Sequence, residues 1–236
     1  MYDVLKAIGE KFRLPGELYS YEVITMGNIN STYKVTYTNA DGSLKSYLFQ
    51  KVNTHVFKSP VEIMENIDRV TSHIREKYPE QITLHYHHTD DGLNYYICGD
   101  NAFWRVVNYV DSVTFNASED LSIIEATGKA FGEFQNRLSD LDGAVLHETI
   151  PDFHNTKKRL DTLFEHVSED PCGRAADAKK EIEYLAAVRE KAGELSVMFA
   201  KGEIPKRVTH NDTKCNNVLF DRVTKEPIVV IDLDTI

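Results

Sequence analysis

Two acids and an amide near the end of the chain have the types and spacing to do chemistry together. Asp212 and Asn217, with four residues between them, fall in the run Val208-Thr209-His210-Asn211-Asp212-Thr213-Lys214-Cys215-Asn216-Asn217-Val218-Leu219-Phe220-Asp221. Asp232 closes the second apolar run, Ile228-Val229-Val230-Ile231. A polar loop, a short β segment and a returning strand over 227–231 would bring the three side chains to one mouth. Such a trio suits phosphoryl transfer: one carboxylate takes a hydroxyl proton, while an amide oxygen and a second carboxylate hold Mg²⁺ against nucleotide phosphates. Asp234, two residues on, would be an auxiliary metal ligand or an acid behind it. The plain alternative is a polar loop that happens to carry acids. His, Asp, Asn and Asp in this order, between apolar runs, argue against it.

The spacing His210-x-Asp212-x-x-x-x-Asn217 is the H-x-D-x-x-x-x-N order of a kinase catalytic loop. Asp232 then stands where a DFG aspartate would, although Leu-Asp follows it and not Phe-Gly. On these residues the chain resembles the aminoglycoside-phosphotransferase/choline-kinase superfamily, relatives of protein kinases that phosphorylate small molecules. The fuller run THNDTK…NNVLFD…VIDLDT is most similar to its N-acetylhexosamine 1-kinase branch, as are GNIN-S-TYKV and FQKVNTHVFKSPVEIMENI. The resemblance runs in patches from Gly27 to Ile236. It implies an α+β, bilobal, protein-kinase-like fold, with a β-rich nucleotide-binding lobe over residues 1–111 and a helical lobe over 112–236 that carries the catalytic loop and metal hairpin. Family members continue through further helices, so it also implies a helical lobe that is incomplete here. ATP and Mg²⁺ are the implied cofactors, and a small-molecule sugar the implied substrate. Asp212, Lys214 and His154 are the implied substrate contacts.

The elements that must position these groups can be read from periodicity. Val4, Leu5, Ile8 and Phe12 repeat at helical spacing until Leu14-Pro15-Gly16. Strands are expected over 19–26, 31–38 and 44–52, the last two joined by the turn residues Asn39-Ala40-Asp41-Gly42. Between the first two, Gly27-Asn28-Ile29-Asn30 could lay backbone N–H groups against phosphate oxygens, where a side chain at Gly27 would hold the backbone off. An ordinary β-turn is the alternative for a loop with one glycine. The third strand should present Lys51 to the phosphates, and a slip of one residue would turn Gln50 inward instead. Both registers stay open. Ser59-Pro60-Val61-Glu62 opens a helix as N-cap, first residue and capping box, and Ile63, Ile67, Val70 and Ile74 form its stripe. Glu65, one turn in, is the expected partner of Lys51; a solvated glutamate is the alternative.

A second hairpin is expected over 83–88 and 93–98 around Asp90-Asp91-Gly92, then a strand over 102–110. Asn108-Tyr109-Val110-Asp111 would cross between lobes and offer backbone groups to a nucleobase. His85, His87 and His88 lack an acid or cysteine at metal-ligand spacing and read as surface residues. From Ser118 the pattern turns helical. One stripe holds Leu121, Ile124, Gly128, Phe131, Phe134 and Leu138. A second holds Leu160, Leu163, Phe164 and Val167, and a third Ile182, Leu185, Ala192, Leu195 and Phe199. All three read as core. His154, in the Asp152–Thr156 join, is the acceptor-side residue or part of a helix cap.

Composition narrows the classes. At 236 residues the chain can bury a core, and no apolar run approaches the roughly 20 residues of a membrane helix. Net charge −10 argues against nucleic acid, whose phosphates need a basic face. Three widely spaced cysteines and a start without a basic-then-apolar block point to a reduced, cytoplasmic protein. Three other readings stay open on sequence: a kinase for an aminoglycoside, choline or homoserine acceptor, a silent nucleotide-binding module, and a non-enzymatic interaction domain. Oligomeric state is not legible.

Overall fold

The structure is a computed structural model that describes residues 1–25 and 29–236; Gly27 and Asn28, expected over the phosphates, lie outside the described residues. It forms two compact units, one of Met1–Thr149 with Val208–Ile236 and one of Ile150–Arg207.

The first unit is built on a five-stranded antiparallel sheet. Its strands are β1 (Glu17–Ile24), β2 (Ser31–Thr38), β3 (Leu44–Val52), β4 (Tyr96–Ile97) and β5 (Phe103–Asn108), in the order β1-β2-β3-β5-β4. Alternation along the strands sends Val35, Tyr37, Tyr47, Phe49, Trp104 and Val106 to one face, where they pack in one core with Leu5, Ile8 and Phe12 of helix α1 (Tyr2–Lys11) and its end. The next residues along face the other way. Thr32, Gln50 and Arg105 are paired in register across β2, β3 and β5. Helix α2 (Pro60–Lys77) covers that face, burying Ile63, Met64, Ile67, Val70 and Ile74. Arg105 reaches Met64 of this helix, with Nη1 3.8 Å from the sulfur.

Three local expectations change. Ser59 is the N-cap of α2, but its side chain makes no cap bond; its carbonyl accepts from the Ile63 N–H at 3.1 Å, so the capping box is absent while Pro60 still opens the helix. The second hairpin is only a turn at 89–93. Its flanks are drawn to β5, with His87 N–H donating to Val106 O at 2.8 Å and Tyr96 and Ile97 pairing with Trp104 and Phe103. Helix α3 (Leu121–Arg137), capped by Asp120, buries Ile123, Thr127, Phe131 and Phe134, whereas Leu121 and Ile124 are exposed. The stripe therefore begins at Ile123.

A two-stranded antiparallel hairpin, β6 (Val218–Phe220) and β7 (Pro227–Val230), closes the first unit. The Asp221 carboxylate accepts from the Val223 and Thr224 N–H groups, both at 2.8 Å, and fixes its turn without a glycine. In the second unit, α4 (Thr156–Glu169) buries Leu160, while α5 (Lys179–Ala192) and α6 (Glu194–Ala200) bury no residue. The single third helix expected over 182–199 is broken at Gly193, and Leu195 and Phe199 stand exposed rather than in a core. Among the described residues no helix is long and apolar enough to cross a membrane.

Gly16 has φ +86°, and a Cβ there would lie 2.2 Å from the Thr38 carbonyl oxygen. Gly16→Ala is expected to cost more than about 1 kcal/mol in urea unfolding, since both conformation and space are denied to an L side chain.

Candidate active site

The polar loop between α6 and β6 is anchored by His210, which is fully buried. The edges of Phe131 and Phe134 from α3 meet its ring at 5.2 and 5.9 Å between centroids. Asp212 N–H points at Nδ1 at 3.3 Å, which assigns Nδ1 as acceptor and Nε2–H as donor to Ile231 O at 2.8 Å. Burial lowers the imidazole's pKa, opposed by the Ile231 carbonyl and by Asp212. The neutral ring thus spans loop and β7. An unfolded histidine takes up its proton near pH 6.5, whereas this one resists until lower pH. Stability is therefore lost as pH falls below about 6.5, by up to about 1.4 kcal/mol per pH unit. His210→Gln should flatten that slope in urea unfolding between pH 5 and 7.5.

Asn211 adopts a left-handed backbone, φ 63°, which its short amide tolerates. Its Nδ2 donates to Thr235 O at 2.7 Å, and Thr235 Oγ1 donates to His210 O at 2.7 Å. The loop and the turn after β7 are stitched together by these bonds. Asn217, buried in the short 3₁₀ turn Cys215–Asn217, donates Nδ2 to the Asp212 carbonyl at 2.9 Å and to Asp212 Oδ2 at 3.0 Å. Lys214 Nζ meets the same Oδ2 at 2.7 Å. Asn217 O then accepts from Ile231 N–H at 2.9 Å, which seats the start of the Asp232 turn beside the loop.

Asp232 itself is left-handed, φ 63° and ψ 55°. Asp232 keeps an exposed face, yet desolvation by the surrounding protein raises its carboxyl pKa; Asp234 and Asp212 add to the rise, while Arg105 and Lys214 oppose it. That mutual influence puts Asp212, Lys214, Asp232 and Asp234 in one electrostatic neighbourhood. Asp212 and Asn217 are in direct hydrogen-bond contact, and Asp232 follows Ile231, whose N–H is bonded to Asn217.

Several neighbours are arranged otherwise than expected. Asp234 is 2% exposed; both of its oxygens take N–H groups from Arg105, Oδ2 from Nη2 at 3.0 Å, and Oδ2 also accepts from Asn30 Nδ2 at 3.1 Å. Of the two roles expected for it, this geometry suits the acid behind the site, not the metal ligand. Of the two residues left open on the third strand, Lys51 is the outward one. Strand alternation turns it outward, 3.9 Å from Asp100, and Gln50 inward, where Gln50 Oε1 accepts from Arg105 Nε at 3.0 Å. Glu65 consequently has no lysine to steady. It pairs with Arg69 at 3.3 Å and His147 at 2.7 Å. The Asn108 and Tyr109 N–H groups are spent on His85 O and Ser46 O, both at 3.2 Å, and are not free to hold a base. Asn30, by contrast, joins the site: its Oδ1 accepts from Asn53 N–H at 2.9 Å while Nδ2 holds Asp234. His154 belongs to the second unit, its ring 4.5 Å from Phe153.

Arg105 was not singled out from sequence. The available signal was a charge in the middle of Phe103-Trp104-Arg105-Val106-Val107, a strand otherwise apolar enough to be buried throughout.

The donor set suits a hard cation. Asn217 has spent its amide nitrogen, which leaves Oδ1, and Asp232 supplies a carboxylate; Mg²⁺ commonly takes one or two such protein oxygens and completes its shell with phosphates and water. Among the described residues no group of three or more His, Cys, Asp or Glu could hold a metal ion.

The model of the phosphotransferase enzyme family matches residues 20–236. The chain belongs to the phosphotransferase enzyme family. Solved structures agree on the fold of this phosphotransferase-family chain. A spectinomycin phosphotransferase in complex with ADP and spectinomycin is 14% identical over 99% of this chain and 68% of its own, with TM-score 0.59. An aminoglycoside phosphotransferase from Alicyclobacillus acidocaldarius is 14% identical over 97% of this chain and 65% of its own, TM-score 0.57. An amicoumacin kinase in complex with AMP-PNP, Ca²⁺ and Ami is 16% identical over 99% of this chain and 63% of its own, TM-score 0.58. The chain thus spans about two thirds of their length. At these identities the likeness shows the mixed α/β, kinase-like fold alone.

Proposed function

We propose that the chain supplies the Mg²⁺-nucleotide and catalytic-base residues of an ATP-dependent kinase that phosphorylates a small hydroxylated molecule, most specifically the anomeric hydroxyl of an N-acetylhexosamine. The observation that carries the reading is the Asn217–Asp212 hydrogen bond beside Asp232. Family membership supports the reaction class, and ADP or AMP-PNP with Ca²⁺ in complexes of two fold neighbours supports the nucleotide and a divalent ion. The acceptor rests on the sequence runs that resemble the hexosamine-kinase branch.

The residues divide the work as follows. Bound Mg²⁺ would neutralise phosphate charge, held by Asn217 Oδ1 and the Asp232 carboxylate. Asp212 orients the acceptor hydroxyl. Its Oδ2 is occupied by Asn217 and Lys214, which leaves Oδ1 to take the proton as the acceptor oxygen bonds to the γ-phosphorus and the bond to the bridging oxygen breaks, releasing ADP. An anomeric hydroxyl is more acidic than an ordinary alcohol, so a carboxylate base suffices. Lys214, half exposed, can move from Asp212 to a phosphate oxygen. Asp234 acts from behind, through Arg105.

Lys51→Ala should leave Mg-ADP affinity within about twofold and stability within about 1 kcal/mol, because an exposed ion pair contributes little. The function is tested by incubating the protein with γ-labelled ATP, Mg²⁺ and an acceptor panel of N-acetylglucosamine, N-acetylgalactosamine, aminoglycosides, choline and homoserine. Label on the hexosamines supports the full proposal. Label on another acceptor keeps the reaction and moves the substrate, and no label on any acceptor contradicts it.

A further inference from the structure

We propose that Arg105 is the positioning residue of the metal-bearing turn, supplying from the centre of the sheet the buried positive charge that β3 does not provide. The inference rests on the reading of Asp232 and Asn217 as the metal-holding pair. The third strand turns the neutral Gln50 inward and Lys51 outward, so no β3 cation faces the acids. Arg105, one strand over in the same row, is 1% exposed and fully committed. Its Nε donates to Gln50 Oε1 at 3.0 Å, its two terminal nitrogens grip both oxygens of Asp234, and the Tyr86 ring lies 5.6 Å from the guanidinium. Gln50 is set in turn by its Nε2, which donates to Thr32 Oγ1 at 3.2 Å.

What the fork holds is the turn through Asp232, which is left-handed like Asn211. A short polar side chain tolerates that backbone at modest cost, so the surrounding bonds decide where the turn points. The turn around Asp232 is pinned before by Ile231, bonded to both His210 and Asn217, and after by Thr235 and Ile236. The Ile236 carbonyl accepts from Asn66 Nδ2 of α2 at 3.1 Å. The pins at Ile231 and Thr235 are neutral. The charged one is Asp234 on Arg105, and its two-pronged geometry fixes direction as well as distance. Asn30 closes the network from the end of the loop before β2. Arg105 therefore sets where the Asp232 carboxylate points without touching metal or substrate.

The test compares ADP affinity by calorimetry with Mg²⁺ and with EDTA, in wild type and Arg105→Lys, with circular dichroism as the check of folding. Lysine keeps the charge and loses the fork. The expected result is a Mg²⁺-dependent enhancement that falls about tenfold in Arg105→Lys, with metal-free affinity unchanged. Should Arg105→Lys not fold, Arg105→Met with Asp234→Asn removes the buried charges and keeps an oxygen at 234, and the same loss of enhancement is expected. A folded variant of either kind with the wild-type enhancement overturns the inference alone. A wild-type protein whose ADP affinity ignores Mg²⁺ overturns the reading of the site, and this inference with it.

Discussion

Asp212→Asn is expected to lower phosphoryl transfer by about 10²–10⁴-fold, the range typical of a positioned general base, while ADP affinity stays within about twofold. The amide has nearly the shape of the carboxylate, so the contacts with Asn217 and Lys214 that organise the loop can reform around it. What it lacks is an oxygen able to take up a proton. A tenfold loss would correspond to only about 1.4 kcal/mol and would suit an orienting role without proton transfer. Single-turnover measurements with saturating nucleotide separate the two, because they exclude product release. Wild-type turnover in this variant would remove Asp212 from the mechanism.

Arg105→Met is expected to lower unfolding free energy by about 3–5 kcal/mol, read from urea midpoints at neutral pH. Methionine fills much of the arginine's path, so the loss is chiefly electrostatic. Among the described residues it leaves Asp234, 2% exposed, with the Asn30 amide alone against its charge. Burial opposes the Arg105 charge, yet Asp234, with help from Tyr86 and Asp232, outweighs it and raises the guanidinium's pKa above the ordinary value. Pairing of that kind is costly to break from one side. Replacing both partners by neutral groups should recover much of the lost stability, since the large cost belongs to the orphaned charge. A single-variant loss below about 1 kcal/mol would mean that Asp234 finds water or another cation.

The unequal legibility of the chain has physical causes. The bounds of β2 and β3 were readable because apolar runs and turn chemistry mark a hairpin locally. The His210–Asn217 loop stood out because its residue types follow a set order, and the structure places Asn217 against Asp212. Strand register was not, and the Lys51 and Gln50 alternatives differ by one step that only pairing with β2 and β5 decides. Arg105 escaped because a charged residue in an apolar strand is interpretable only when its partner is known, and Asp234 lies 129 positions away. Helices α5 and α6 show the converse. Their apolar residues have the right period for a buried face, yet period reports a face and not what covers it.

The most direct measurement is the anomalous signal of Mn²⁺ in crystals of the protein grown with AMP-PNP. A peak is expected at ligand distance, roughly 2.0–2.3 Å, from Asn217 Oδ1 and an Asp232 oxygen, with phosphates on its far side and Asp234 still on Arg105. A peak coordinated by Asp234 with Arg105 displaced, or nucleotide phosphates bound away from Asn217 and Asp232, would contradict it.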